Sequence, residues 1–239
     1  VTALSVNVNK VALLRNSRGG NVPNVLQFAQ DCVFFGAQGI TVHPRPDGRH
    51  VRRDDVYELK SHLKVELNVE GYPSPEFLDM LCEVRPAQAT LVPDPPGALT
   101  SDHGWNTISE RSFLRDVVAR LQEAGVRVSL FIDPDPAHAT GAKDVDADRV
   151  ELYTGPYAHD YPRGPEAAIA AYREAAREAE RVGLGLNAGH DLNLDNLAYF
   201  RRQIPNLLEV SIGHALVADA LYLGLERTIE SYLACLQTP

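Results

Sequence analysis

Eight short apolar runs, each followed by a stretch of helical character, restrict the fold of this chain more than any other feature. The runs are Leu4–Asn9, Ile40–Val42, Val65–Val69, Gln88–Val92, Val126–Ile132, Asp148–Tyr153, Leu184–Ala188 and Leu208–Ile212. They begin roughly 20–40 residues apart, as strands do in repeated βα units. Ile40-Thr41-Val42 is representative: β-branched, with Gly39 before it and Pro44 close behind. Such a run reads as a strand buried on both faces of a parallel sheet. Eight units use up all 239 residues, and about 250 residues is typical of a (β/α)8 barrel. The fold expected is therefore α/β, a single TIM barrel spanning residues 1–239. An open doubly wound sheet fits less well, because no Gly-x-Gly-x-x-Gly follows the first strand.

The segments between the runs carry helix signals. Val22 to Gly36 places Val25, Ala29, Cys32 and Val33 near helical spacing and stops on a glycine. Asp54 and Asp55 open a helix to about Leu63, with acidic side chains where the helix dipole favours them. Ser74-Pro75 reads as an N-cap with proline at the first helical position, leading to Val84. Ser109 with Glu110 is expected to cap a helix that Gly125 closes. A short helical piece follows Pro136, and Pro165–Val182 is Ala/Glu/Arg-rich. Leu194–Arg202 follows. One last helix is expected over Ala215–Gln237, with Val217, Leu221, Leu225, Ile229, Leu233 and Leu236 on a stripe. Lys10–Gly20 reads as a loop or short helix carrying Arg15 and Arg18. The longest loop, Pro93–Thr107, is Pro/Gly-rich and is expected to act as a lid.

A formal net charge of −9 argues against a broad nucleic-acid or anionic-membrane surface. No apolar run approaches membrane-spanning length, and Val1-Thr2-Ala3 leads into the first strand without a signal-peptide pattern. Cys32, Cys82 and Cys235 are odd in number and far apart, so they read as reduced thiols. The expected compartment is the cytoplasm.

In a barrel of this kind chemistry sits at the carboxyl ends of the strands. Those ends offer Asn7, Asn9, Lys10, His43, Glu70, Asp133, Glu151, His190 and His214, with Thr100 beyond the fourth strand. Three of the eight histidines directly follow the second, seventh and eighth strands. Titratable groups converging on one mouth are the mark of a functional site. Gly189-His190 and Gly213-His214 are paired turns on neighbouring strands, where barrel enzymes often bind phosphate. Arg45, Arg49 and His50 offer a second anion pocket. Two anion pockets around a His/Glu/His set suggest the joining or rearrangement of phosphorylated small molecules by acid–base chemistry. His43, Glu70 and His190 form a two-His-one-carboxylate set on paper, but the spacing is not that of a metal site and arginines crowd it. There is no Gly-x-Ser-x-Gly and no cysteine at a strand end. Lys10 leaves Schiff-base chemistry open beside a solvated or phosphate-binding role. A phosphosugar isomerase, a lysine-dependent aldolase and a non-catalytic sugar-phosphate sensor are the alternatives.

Beyond these patterns, the chain resembles the pyridoxine 5′-phosphate synthase family. The resemblance rests on Val6-Asn-Val-Asn-Lys10, Leu14-Arg-Asn-Ser-Arg-Gly19, Gly39-Ile-Thr-Val-His-x-Arg-x-Asp-x-Arg-His50, Leu67-Asn-Val-Glu70 and Leu91-Val-Pro93. It continues through Val128-Ser-Leu-Phe-Ile-Asp133, Glu151-Leu-Tyr-Thr-Gly155, Leu186-Asn-Ala-Gly-His190 and Ser211-Ile-Gly-His-Ala215, nearly the whole chain in order. It implies a TIM barrel with extra helices that condenses 3-amino-2-oxopropyl phosphate with 1-deoxy-D-xylulose 5-phosphate. The products would be pyridoxine 5′-phosphate, inorganic phosphate and water, with no metal or organic cofactor. By position, His43 and Glu70 would be proton acceptors and His190 the proton donor. Asn7, Arg18, Gly213 and His214 would hold the aminoketone phosphate or the product's phosphate. Asn9, Lys10, Arg45, His50 and Thr100 would hold the deoxyxylulose phosphate. Glu151 and Asp191 complete the candidate substrate-binding set. The family assembles as homo-octamers built from dimers. Two positions depart from its pattern: Asn9-Lys10 stands where many members have Asp-His, and Asp191 where a glycine is usual.

Overall fold

The computed structural model describes residues 1–94 and 101–237. Eight parallel strands close on themselves in chain order: β1 (Ala3–Asn7), β2 (Gly39–Val42), β3 (Glu66–Gly71), β4 (Gln88–Leu91), β5 (Arg127–Ile132), β6 (Arg149–Tyr153), β7 (Gly185–His190) and β8 (Leu207–Ile212). The seam is parallel pairing of β1 with β8, Leu4 opposite Val210 and Val6 opposite Ile212. This is the expected TIM barrel.

Period-two alternation sends one set of side chains outward and the other into the lumen. Leu4, Val6, Ile40, Val42, Leu67, Val69, Val128 and Leu130 are all buried, and they belong to the main apolar core. The other set is mostly polar. Ser5 and Thr41 share a hydrogen bond of 2.7 Å. Asn68 donates to Thr41, and Thr90 donates to Asn68 and to Glu151. Below this ring, Arg127 pairs with Glu66 and donates to Gln88, while Arg149 lies 3.7 Å from Glu209. Barrels more often fill the lumen with branched apolar side chains. Here the apolar packing lies between sheet and helices, and the lumen is a hydrogen-bonded polar column leading up to the mouth.

The helices are α1 (Asn9–Asn16), α2 (Val25–Phe34), α3 (Arg53–His62), α4 (Pro75–Val84), α5 (Arg111–Glu123), α6 (Pro136–Asp144), α7 (Gly155–Asp160), α8 (Pro165–Arg181), α9 (Leu197–Gln203), α10 (His214–Leu223) and α11 (Leu225–Gln237). Ser74 caps α4 as its sequence indicates, accepting from the Phe77 amide at 3.2 Å. Several helical features differ from expectation, among them the start of α9, at Leu197 rather than Leu194. Asn24, accepting from the Gln27 amide, starts α2 at Val25 rather than Val22. Asn106 accepts from the Ile108 and Ser109 amides, which holds that turn out of the helix and delays α5 to Arg111. The short α7, with its 3-10 turn Tyr161–Arg163, was not anticipated. It is anchored by buried Tyr157, whose hydroxyl donates to the Asn196 carbonyl at 2.8 Å. The last helix is two helices. Gly224 has φ +80°, a conformation that ends α10 and restarts the chain as α11. The stripe is thereby split: Ile229 and Leu236 are buried, whereas Leu221 and the neighbouring Tyr222 are exposed.

Among the described residues the three cysteines are free, and no helix is long and apolar enough to cross a membrane.

Candidate active site

At the carboxyl ends of the strands lies a cavity of ≈ 600 Å³, and its walls come from widely separated segments. Asn7, Asn9, Lys10, His43, Arg45, His50, Glu70, Glu151, His190, Asp191, Gly213 and His214 all line it. Arg18 does not. It is exposed in the turn beyond α1. Thr100 lies outside the described residues, as does part of the expected lid. The far end of that loop is tied down by buried Trp105, whose indole donates to the Leu91 carbonyl at 2.9 Å. Asp133, a strand-end candidate, accepts from the Gly104 amide instead of lining the cavity.

The first three strands are laced together at their ends. Asn7 accepts from the Asn9 amide at 3.0 Å and donates to Glu70 Oε2 at 3.3 Å. Asn9 accepts from the His43 amide at 2.9 Å. The His43 ring comes to rest with Nδ1 3.9 Å from Glu70 Oε2. Burial, then the charges of Arg45, His50 and Arg49, hold this imidazole well below its ordinary value. It is therefore neutral at physiological pH and able to accept a proton. His50 accepts from the Val51 amide through Nδ1, and burial beside Arg45, Arg49 and Lys10 pushes it down to about 4.

Glu70 has the opposite perturbation. Burial pushes it up to about 7, with the positive charge of His190 acting against the rise. Glu151 stands in the middle of β6, not at its end, and is buried in the lumen. Burial first, and then Glu70, raise it well above the usual carboxylate range. A carboxyl poised near neutrality above one held protonated separates two acid–base groups by environment. Gly189 belongs to this arrangement, because a Cβ there would come 2.3 Å from Glu151 Oε1.

His190 ends β7 with φ +106°, a strained conformation for a non-glycine residue. Its ring packs edge-on against Tyr153, with centroids 5.2 Å apart at 87°. Its Nδ1 lies 2.9 Å from Asp191 Oδ2. After the neighbouring β8, Gly213 precedes α10 and His214 opens it, so the start of a helix lines the cavity. On the opposite rim Arg45 is nearly buried, and its guanidinium donates to Asp94 at 2.6 Å. Ser101 donates to the same carboxylate at 2.7 Å.

Several lining residues escaped the sequence reading: Leu13, Val92, Ser101, Phe131, Tyr153 and Ser211. Strand alternation was the available signal for three of them. Tyr153 is two residues beyond Glu151, Phe131 two beyond Ser129, and Ser211 two beyond Glu209, so each points inward. Among the described residues no group of three or more His, Cys, Asp or Glu side chains is arranged to hold a metal ion.

Likeness to other proteins agrees with this geometry. Solved barrels share the fold at low identity. A tryptophan synthase structure from M. tuberculosis superposes with a TM-score of 0.67 at 14% identity, covering 99% of this chain and 94% of that one. Thiamine phosphate pyrophosphorylase from Pyrococcus furiosus gives 0.63 at 11% identity, covering 99% and 95%. Curated relatives are much nearer in sequence. Pyridoxine 5′-phosphate synthase of Bacteroides fragilis is 60% identical over 237 residues, 99% of this chain and all of the relative. The Porphyromonas gingivalis protein of the same name is 56% identical over 232 residues, 97% of this chain and 98% of its own. A family model described as pyridoxal phosphate biosynthesis protein PdxJ matches residues 4–238. With that span and those identities, the chain belongs to the PdxJ family of pyridoxal phosphate biosynthesis proteins.

Proposed function

We propose that this chain is a pyridoxine 5′-phosphate synthase that condenses 3-amino-2-oxopropyl phosphate with 1-deoxy-D-xylulose 5-phosphate, releasing inorganic phosphate and water. The observation that carries the reading is one cavity holding His43, Glu70 and His190 between a cationic rim and the start of α10. Joining an amine to a ketone, dehydrating the adduct and expelling phosphate each move a proton near neutral pH. His43, neutral beside cations, and Glu70, poised near 7, act as acceptors; His190 acts as the donor. A phosphate dianion on Arg45, Lys10, His50 and Asn9 offsets the field that depresses His43, so binding strengthens the base. The second phosphate sits against Asn7, Gly213 and His214. Glu151, held protonated beneath Glu70, donates a hydrogen bond to an oxygen or nitrogen atom of the bound substrate. Acid–base groups suffice for this chemistry, and it calls for no cofactor.

Arg18 and Thr100 complete the phosphate contacts in this proposal, Arg18 within a homo-octamer of dimers. Exposed apolar side chains on α1 and α10, among them Leu14, Leu221 and Tyr222, support burial against further copies. The proposed compartment is the cytoplasm. The test is a two-substrate assay with the product identified by mass and phosphate release followed in parallel. Product and phosphate are expected only when both substrates are present. Turnover of one substrate alone, or borohydride trapping on Lys10, would replace this reading with an isomerase or an aldolase.

A further inference from the structure

The contact between His190 and Asp191 is made by neighbours in the chain, yet it does not follow from adjacency. Successive side chains of a strand point to opposite faces. Asp191 reaches His190 because the strand ends there, with His190 at φ +106°, turning the next residue back along the rim. The carboxylate then lies 2.9 Å from Nδ1, and the Tyr153 ring braces the imidazole from the β6 side. The hydrogen bond from His190, followed by the charges of His190, His214 and Lys10, holds Asp191 below its usual range. Asp191 is thus ionised at neutral pH, even though it borders the pocket read as a phosphate site.

We propose that Asp191 is a positioning residue for His190: its carboxylate accepts the Nδ1–H, fixes the tautomer and leaves Nε2 as the nitrogen that delivers a proton to substrate. The imidazolium gives its Nε2 proton to the departing oxygen and becomes the neutral ring, with Nδ1–H still bound to Asp191. The ring is recharged by a proton that Glu70 or His43 has taken from substrate, so no proton is left unaccounted for. A general acid needs this kind of third group, because the hydrogen bond at one ring nitrogen decides what the other can do. Among the described residues, groups facing the pair include Glu70 from β3, Tyr153 from β6, His214 from α10 and Lys10 from α1. Lys10 and His214 offset the charge of Asp191 towards an incoming phosphate, which lets a carboxylate remain on this rim.

This inference rests on the proposed function for its chemistry but not for its test. Carbethoxylation by diethyl pyrocarbonate modifies neutral imidazole, and peptide mass mapping reads His190 separately from the other histidines. The half-exposed Asp191 tolerates replacement, so the full chain is compared with Asp191→Asn and Asp191→Gly at matched thermal stability. The pH at which His190 becomes reactive is expected to fall by about one unit in both variants, since an opposite charge at hydrogen-bond distance favours the protonated ring. Asp191→Glu is expected to recover part of the difference. In turnover, kcat should fall at least tenfold in Asp191→Asn, its alkaline limb moving to lower pH with the same sign, while KM changes little. Coinciding reactivity profiles for the native chain and both variants would overturn the proposal. If the profiles shift but the native chain makes no pyridoxine phosphate, the functional reading fails and the positioning role stands.

Discussion

In the proposed reaction Glu70 is a proton acceptor, and its surroundings set the pH at which it can act. Its folded value, about 7, lies above the ordinary 4.5 because the ionised form is buried. An acceptor must be ionised, so kcat/KM is expected to fall as pH drops below about 7, and a pH profile of the free enzyme checks this. The same perturbation has a cost in stability. A carboxyl whose value is raised on folding contributes fully below its unfolded value and loses that contribution as pH climbs through its folded value. Glu70→Gln should therefore be inactive yet more stable than the native chain above neutrality, by on the order of 3 kcal/mol. Well below pH 4.5, where the native carboxyl is protonated in both states, the two should melt together. Thermal unfolding at both pH values tests the sign.

At the level of elements, α1 does more than connect β1 to α2. Arg15 is buried and binds Asp55 of α3 through two hydrogen bonds of 2.5 and 2.8 Å. Asp55 also accepts from the Arg52 amide, fixing the start of α3. Next to it, Asn16 donates to the carbonyls of Gly48, Arg49 and His50. One helix end thus clamps the β2–α3 loop that carries His50 into the cavity. Arg15→Ala leaves Asp55 buried without its partner, at a cost of about 3–5 kcal/mol. Because the loop is released too, KM for the proposed deoxyxylulose phosphate substrate should rise more than kcat falls. Denaturant unfolding and steady-state kinetics on the same preparation separate the two effects. The sequence reading gave Arg18 a phosphate contact through the family resemblance and gave Arg15 no role, because only packing shows that Arg15 is the buried one.

Across the whole molecule, the polar lumen divides into a mouth that lines the cavity and a floor of buried ion pairs. Glu209 is buried at the floor, raised by burial and countered by Arg149. Arg149→Met removes the nearby countercharge, and a loss of about 3 kcal/mol is expected. The deficit should grow as pH rises, because the unpaired carboxylate is harder to ionise in the folded state. Activity per folded molecule should hardly change, as neither residue lines the cavity. A melting series against pH, with activity measured well below the transition, tests that division.

Strand number and order and the candidates at His43, Glu70 and His190 were legible in the sequence, because periodicity and turn residues are local signals. So was Ser74 as a cap. The break at Gly224 was missed because an apolar stripe continues across it, and a single backbone angle ended the helix. Glu151 read as a strand-end residue, but closure of the barrel set it deep in the lumen. What the chain could not disclose by itself was charge state and partnership. Desolvation and Coulomb fields depend on which segments lie within a few ångströms, and that is decided only when the sheet closes. Closure is what leaves Glu70 near neutrality, His43 neutral among arginines and Asp191 turned against His190.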